Sequence, residues 1–246
     1  VWCNSSFQLH GLLDALPGLL ERAPDQPHTG YVADVAGRCH VVPVGVDLAD
    51  VPVRSVDAPT PDVPTVLWNQ RWDHDKNPTA VFNALGRLAD EGIGFAVAVV
   101  GENERVDPRE FTLARERLGD RVVQFGYLDR PAYADLLGRA DVVVSAAHHE
   151  FFGIAVVEAI AAGCLPVLPA HQSYPGLVGD WADVALYPDG GLTTRLRDVL
   201  VDLPAWRARA VGLDASIRRF DWLTVVSDYD DRLERLAADG PPLGAH

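Results

Sequence analysis

The chain has 246 residues, 48% of them apolar, and carries 35 acidic against 21 basic side chains for a formal net charge of −14. That length buries one large core or two modest ones, and the acidity excludes a basic groove for nucleic acid on this chain alone, though not a phosphate site made of a few local cations. No apolar run reaches the ~20 residues that cross a bilayer, so no membrane span is expected.

Residues 1–4 read as a short strand, 7–22 as a helix, then a polar Pro/Gly loop, and 38–44 as a second strand. The amino terminus shows no basic stretch followed by an apolar one, so no signal peptide is expected and the protein is expected to be cytoplasmic. Cys3, Cys39 and Cys164 are far apart and lack metal spacing, and read as small buried apolar residues in a reducing compartment. Methionine is absent, which reads as a fragment or a processed product. From 48 to 64 the sequence is rich in Pro, Asp and Val without helical periodicity, as in a linker.

A strand/helix alternation follows. Strands are expected at 65–69, 95–100, 122–125, 141–145 and 165–168. Helices are expected at 78–91, 108–118, 131–139, 153–162, 192–203, 204–213 and 222–236. Unbroken apolar strands with short connections to helices predict an α/β fold, a Rossmann-like doubly wound parallel sheet covered on both faces. The chain thus divides into 1–47, a linker at 48–63, the α/β domain at 64–237 and a frayed tail at 238–246.

Ligands of such sheets bind at the carboxyl ends of the strands, which selects Asn69 and the loops holding 71–77, 101–103, 126–128, 148–153 and 170–176. His74, Gly101 and Tyr127 fall among them. Arg71 and Lys76, the one lysine of the chain, flank Trp72-Asp73-His74-Asp75 beside a helix start. Two cations there suit a diphosphate, or else pair with Asp73 and Asp75. Neither GxGxxG nor GxxxxGK[ST] is present, so a nicotinamide or P-loop site lacks its phosphate cradle.

In Glu150-Phe151-Phe152-Gly153-Ile154-Ala155-Val156-Val157-Glu158, seven residues separate two glutamates, and the step of eight is a little over two helical turns. This predicts Glu150 at a helix mouth and Glu158 deeper on the same side, holding hydroxyl groups at two separated points; the alternative is a capped helix with two solvated glutamates. Gly153 permits close backbone approach and exposes N–H groups to an anion, or is a turn glycine only. His148-His149-Glu150 lacks a third ligand and metal spacing, so no metal site is expected, and His149 contacts a sugar hydroxyl or phosphate or caps the helix. Trp68 and Tyr174 line a pocket or belong to the core. Ser145 has no nucleophile-elbow context.

Together these motifs resemble the nucleotide-binding half of the GT-B retaining glycosyltransferases of family 4. The resemblance rests on Glu150 to Glu158 in an E-x7-E form, on Arg71 and Lys76, and on Pro43-Val44-Gly45-Val46-Asp47 before the linker. The strings from Trp68 to Pro78 and from Ala147 to Gly153, with Gly126-Tyr127-Leu128 and Phe220-Asp221-Trp222, are similar to those of the tRNA-queuosine α-mannosyltransferase group. The resemblance implies that Arg71 and Lys76 neutralise the leaving donor diphosphate and that Glu150 holds sugar hydroxyls. It also implies backbone N–H groups from Phe152, Gly153 and Ile154, and Glu158 on the ribose hydroxyls. The implied donor is GDP-mannose, the acceptor queuosine in tRNA, and no cofactor or metal is required. Gly176 after Tyr174-Pro175 stands where the family often has glutamate, which leaves donor choice open. Residues 1–47 match only the end of the family's acceptor domain, so tRNA would be met through parts not included here. A nucleotide-sugar 2-epimerase and a non-catalytic nucleotide-binding module are the competing expectations.

Overall fold

Valine-rich runs with no polar alternation become the buried strands of the domain, as their composition dictates. The computed structural model describes residues 1–22, 30–54, 61–101 and 109–239. Part of the first polar loop, the middle of the linker, residues 102–108 with the expected helix start at Pro108, and most of the tail lie outside the described residues.

In chain order the strands are β1 (Trp2–Cys3), β2 (His40–Val41), β3 (Thr65–Trp68), β4 (Ala96–Val100), β5 (Val122–Gly126), β6 (Val142–Val144), β7 (Leu165–Pro169) and β8 (Leu186–Tyr187). The helices are α1 (Ser6–Glu21), α2 (Tyr31–Gly37), α3 (Pro78–Asp90), α4 (Arg109–Leu118), α5 (Arg130–Arg139), α6 (Ile154–Ala161), α7 (Tyr174–Val178), α8 (Ala182–Ala185), α9 (Leu192–Val201), α10 (Leu203–Arg209), α11 (Leu213–Ile217) and α12 (Trp222–Asp239).

β3 to β8 form one sheet in the order β5-β4-β3-β6-β7-β8, every pairing parallel. Winding runs one way from β3 and the other way from β6, so the crevice above β3 and β6 is the switch point of a doubly wound sheet. Alternation along the strands sends Leu67, Ala98 and Val143 to one apolar layer, with α5, α6, α7 and α11. Val66, Trp68, Val97, Val99, Val142 and Val144 face the other layer, with α3, α4 and α9.

Several elements depart from the expectation. The strand at 38–44 shrinks to His40–Val41, since Pro43 has no N–H to extend a ladder. The helix expected at 204–213 ends at Arg209, and Gly212, at φ +86°, caps the start of a separate α11. α2, α7, α8 and β8 were not expected; they are short, and short elements carry little periodic signal. α12 runs on to Asp239, past the expected start of the tail. The first part of the expected linker is packed: Leu48 and Val51 sit in the core, and the Arg54 guanidinium donates to Asp141 Oδ1 at 2.8 Å.

α12 returns to the amino-terminal segment. Val46 N–H donates to Phe220 O and Trp222 N–H to Val46 O, both at 2.8 Å. Tyr229 hydroxyl donates to Pro43 O at 2.8 Å, and its ring meets Trp2 edge-on with centroids 5.7 Å apart. The small β1–α1–β2 unit is thereby fixed beside the switch-point crevice.

Candidate active site

β3 ends in the buried Asn69 and Gln70 and then turns sharply through residues 71–77. Asp73 Oδ1 accepts the His74 N–H at 2.7 Å, and Asn77, at φ +50°, leads into α3. This turn folds Lys76 inward until only 8% of it is exposed. Its ammonium donates to His149 O at 2.8 Å and Glu150 Oε2 at 3.2 Å, and lies 3.1 Å from Asp75 Oδ2. Three oxygens thus satisfy the three donors of a buried ammonium. Arg71 differs: its side chain is 68% exposed and only 3.9 Å from Asp75 Oδ2. Asp75 O accepts N–H from His148 at 2.8 Å and His149 at 3.3 Å, tying the β3 loop to the β6 loop.

The helical spacing argument for the two glutamates fails in its detail. Gly153, at φ +99°, caps α6, and the helix begins only at Ile154. Glu150 therefore lies on the preceding turn, where its Oε1 accepts the Phe152 N–H at 3.2 Å, and no helical face relates it to Glu158. A left-handed residue ends the periodicity that the count of eight assumed. Both carboxylates still reach one crevice, because the turn folds Glu150 back over the helix mouth.

Glu158 projects from the second turn of α6 into a network that sequence reading missed. Arg130 Nη1 donates to its Oε1 at 2.5 Å and the Tyr133 hydroxyl to its Oε2 at 3.2 Å. Asn69 Nδ2 donates to Tyr133 Oη and to Ala155 O, both at 2.8 Å. Burial, and then the charge of Glu158, push the Tyr133 phenol far above its ordinary value, so it remains a donor. Arg130 and Tyr133 are three apart on α5, hence on one face; that spacing after the glycine turn at 126 was the available signal. A second missed network lies beneath. Ser145 Oγ accepts from Gln70 Nε2 at 2.8 Å and pairs with Tyr174 Oη at 2.7 Å. Ser145, Trp68 and Tyr174 are fully buried, so their part is structural.

A cavity of about 560 Å³ opens above β3 and β6. It gathers Asn69, Arg71, Lys76, His149, Glu150, Phe152, Gly153, Ile154 and Glu158. His74, Gly101 and Tyr127 do not line it. Tyr127 is 66% exposed, and Gly101 instead meets the backbone of the β3 loop: a Cβ there would sit 2.0 Å from Gln70 O. The first hydrogen bond internal to α6 is Val157 N–H to Gly153 O at 2.9 Å. The N–H groups of Gly153, Ile154 and Ala155 therefore precede the ladder and add the positive end of the helix dipole to the crevice. At one end stand Arg71, Lys76 and these N–H groups, which suit an anion; farther along α6 stands Glu158, which suits hydroxyl donors. Among the described residues no three His, Cys, Asp or Glu side chains group as a metal site, and no helix is long and apolar enough to cross a membrane.

The family profile described as glycosyl transferases group 1 matches residues 54–201. A tRNA-queuosine alpha-mannosyltransferase of Drosophila melanogaster is 34% identical over 179 residues, covering 70% of this chain and 48% of that protein. A GDP-mannose-dependent alpha-(1-6)-phosphatidylinositol dimannoside mannosyltransferase of Mycobacterium tuberculosis is 32% identical over 129 residues, 50% of this chain and 33% of that one. This chain thus spans half or less of the length of either. Among solved structures, Anabaena HepE in complex with UDP-glucose superposes with a TM-score of 0.72 at 16% identity, over 96% of this chain and 64% of its own.

Proposed function

The chain belongs to the glycosyl transferases of group 1 and has the α/β sheet of the GT-B fold, and from that premise we propose that its switch-point cavity holds a nucleotide-sugar donor, GDP-mannose, for transfer with retention to queuosine in tRNA. The observation that carries this reading is one cavity with paired cations and a helix mouth at one end and a buried, oriented carboxylate at the other.

In this reading the donor diphosphate lies on Arg71, Lys76 and the N–H groups of Gly153 and Ile154. As the bond from the anomeric carbon to the phosphate oxygen breaks, negative charge builds on that oxygen, and preformed positive groups lower the barrier most where charge develops. Lys76 is positioned by His149 O and Glu150, and turns the donor it now gives Asp75 onto the phosphate. Arg71, loosely paired, swings onto the phosphates. Glu150 accepts hydrogen bonds from sugar hydroxyls, with His149 beside it. Glu158, aligned by Arg130 and Tyr133, takes the two ribose hydroxyls. Fixed cations supply the charge a metal ion would otherwise bring, so the chemistry runs without cofactor.

The donor and acceptor follow the two relatives, whose names give queuosine tRNA and GDP-mannose. At a net charge of −14 the chain repels polyanions on average, so tRNA is expected to bind it weakly. Incubation with radiolabelled GDP-mannose and queuosine-containing tRNA tests the whole reading. An α-linked mannosyl product, formed equally well with EDTA present, is expected. A β-linked product would exclude retention, and loss of turnover in EDTA would exclude the metal-free route.

A further inference from the structure

One carboxylate oxygen faces both of the cations that the donor reading gives to the diphosphate. Asp75 Oδ2 lies 3.1 Å from the Lys76 ammonium and 3.9 Å from Arg71 Nη2, and Asp75 lines the donor cavity beside them. Its other oxygen, Oδ1, is buried and has no hydrogen-bond partner among the described residues. A buried acceptor without a donor lowers stability, so local packing does not account for this side chain. Nor does the turn need it. Asp73 Oδ1 supplies the side-chain cap of that turn by accepting the His74 N–H at 2.7 Å. The tie to the β6 loop uses the Asp75 main-chain oxygen, which accepts from His148 at 2.8 Å and from His149 at 3.3 Å. What the carboxylate itself meets is the two cations.

Formal charge at this end of the cavity sums to zero, with Arg71 and Lys76 set against Asp75 and Glu150. Glu150 has further work, since its Oε1 accepts the Phe152 N–H at 3.2 Å while its Oε2 accepts from Lys76. An arriving diphosphate therefore meets no surplus of cationic side chains until it takes Lys76 and Arg71 from Asp75. An ammonium has three hydrogens; those on His149 O and Glu150 stay in place while the third moves to the phosphate. Asp75, its side chain only 27% exposed, is then left beside a like charge. Like charges that close repel strongly where water is thin.

We propose that Asp75 limits the affinity of the donor cavity: it competes with the diphosphate for Lys76 and Arg71, and it reclaims both cations as the nucleoside diphosphate product leaves. The proposal rests on the donor reading above, and it deepens it by naming the residue that sets how long the product stays. Asp75 acts through the two cations and is thus a positioning residue. Its effect falls on phosphates alone, so a nucleoside that lacks them does not feel it.

The test is calorimetry of GDP and of guanosine on the unaltered chain, Asp75→Asn and Asp75→Ala, with GDP dissociation followed by surface plasmon resonance on the same proteins. Both substitutions keep the main-chain oxygen that ties the loops, and asparagine keeps the shape as well, so both are expected to fold. Each should tighten GDP by about tenfold or more, since a like charge is removed from beside the phosphates. The gain should come mainly from slower release, and guanosine affinity should stay within about twofold, as no phosphate is there to be repelled. A carboxylate that only shaped the turn would give the opposite sign, with GDP weakened in both variants. In an Arg71→Ala background Asp75→Asn should gain less than it does alone, because one of the cations it frees is gone. GDP binding unchanged or weakened in either variant overturns the proposal, and so does a gain in asparagine alone, which would belong to its new amide donor. Equal tightening of guanosine, an unchanged release rate, or an equal gain in the Arg71→Ala background also overturns it. Those results leave the donor reading standing, whereas failure of the unaltered chain to bind GDP overturns the donor reading itself.

Discussion

Arg71 and Lys76 entered as a pair, yet the structure gives them different work. Lys76 is buried against Glu150 and Asp75, whereas Arg71 is exposed and weakly paired. Removing Lys76 leaves two carboxylates facing each other in a half-buried turn. Lys76→Ala should therefore cost about 2 kcal/mol of stability, less than a fully buried pair because Asp75 and Glu150 keep some contact with water, as well as donor affinity. Arg71→Ala should leave stability within about 0.5 kcal/mol, as exposed ion pairs are worth little, while still weakening GDP binding. Denaturant melts beside calorimetry separate the two effects; equal stability losses would contradict the division. Tyr133→Phe removes one donor to Glu158 and frees Asn69 Nδ2 of one acceptor, so donor KM should rise about threefold to tenfold. An unchanged KM would mean that Glu158 needs no alignment. At this scale much was legible, because charged residues at strand ends of an apolar sheet are few. Asp75 was read as a partner of the two cations, and it is; Arg130 and Tyr133 were not read, since α5 meets Glu158 of α6 only through the strand order.

The alternation of strands and helices from β3 to α6 could be read from unbroken apolar runs between turn residues, and the structure keeps it to within a few residues. The start of α6 was read to within one residue; what could not be read was that Glu150 stands off its helical face. Apolar residues run straight through Phe151 and Phe152, and the +99° φ of Gly153 sets them and Glu150 on a turn before the helix. A Cβ at Gly153 would meet Tyr174, Glu150 and Val156 at ordinary distances of 3.6–3.8 Å. Gly153→Ala is thus a strain problem rather than a clash, costing about 1–2 kcal/mol, and it should displace Glu150 and lower donor affinity. Gly101→Ala is the reverse, with an ordinary φ but a Cβ 2.0 Å from Gln70 O. It should destabilise by about 1–3 kcal/mol through forced separation of the β3 and β4 ends. A thermal melt of Gly101→Ala matching the unaltered chain would show that the two loops part freely.

Across the whole molecule, α12 fastens the amino-terminal unit to the sheet, and Gly45 lies against it so closely that a Cβ would fall 2.3 Å from the Trp222 ring. The role of α12 escaped the sequence because its strapping residues, Trp222 and Tyr229, meet partners some two hundred positions away. Alkaline stability is also a property of the whole core. Burial raises the pKa of the Tyr133, Tyr174 and Tyr187 phenols and pushes the Cys164 thiol up from 9.0 to about 12. Each folded value exceeds the unfolded one, so the unfolded chain loses protons first as pH rises. Stability from Cys164 is complete below pH 9.0 and drains away toward about 12. Cys164→Ala should flatten that alkaline decline in denaturant midpoints, and an equally steep decline would assign it to the tyrosines alone.

The central claim is that the switch-point cavity holds a nucleotide-sugar by its diphosphate and ribose. Calorimetric titration of GDP and GDP-mannose into the unaltered chain, Arg71→Ala and Glu158→Ala tests it most directly. Binding tighter than about 1 mM, equivalent to about −4 kcal/mol, that falls at least tenfold in each variant is the predicted result. No binding at millimolar nucleotide, or binding that both variants retain in full, would contradict it.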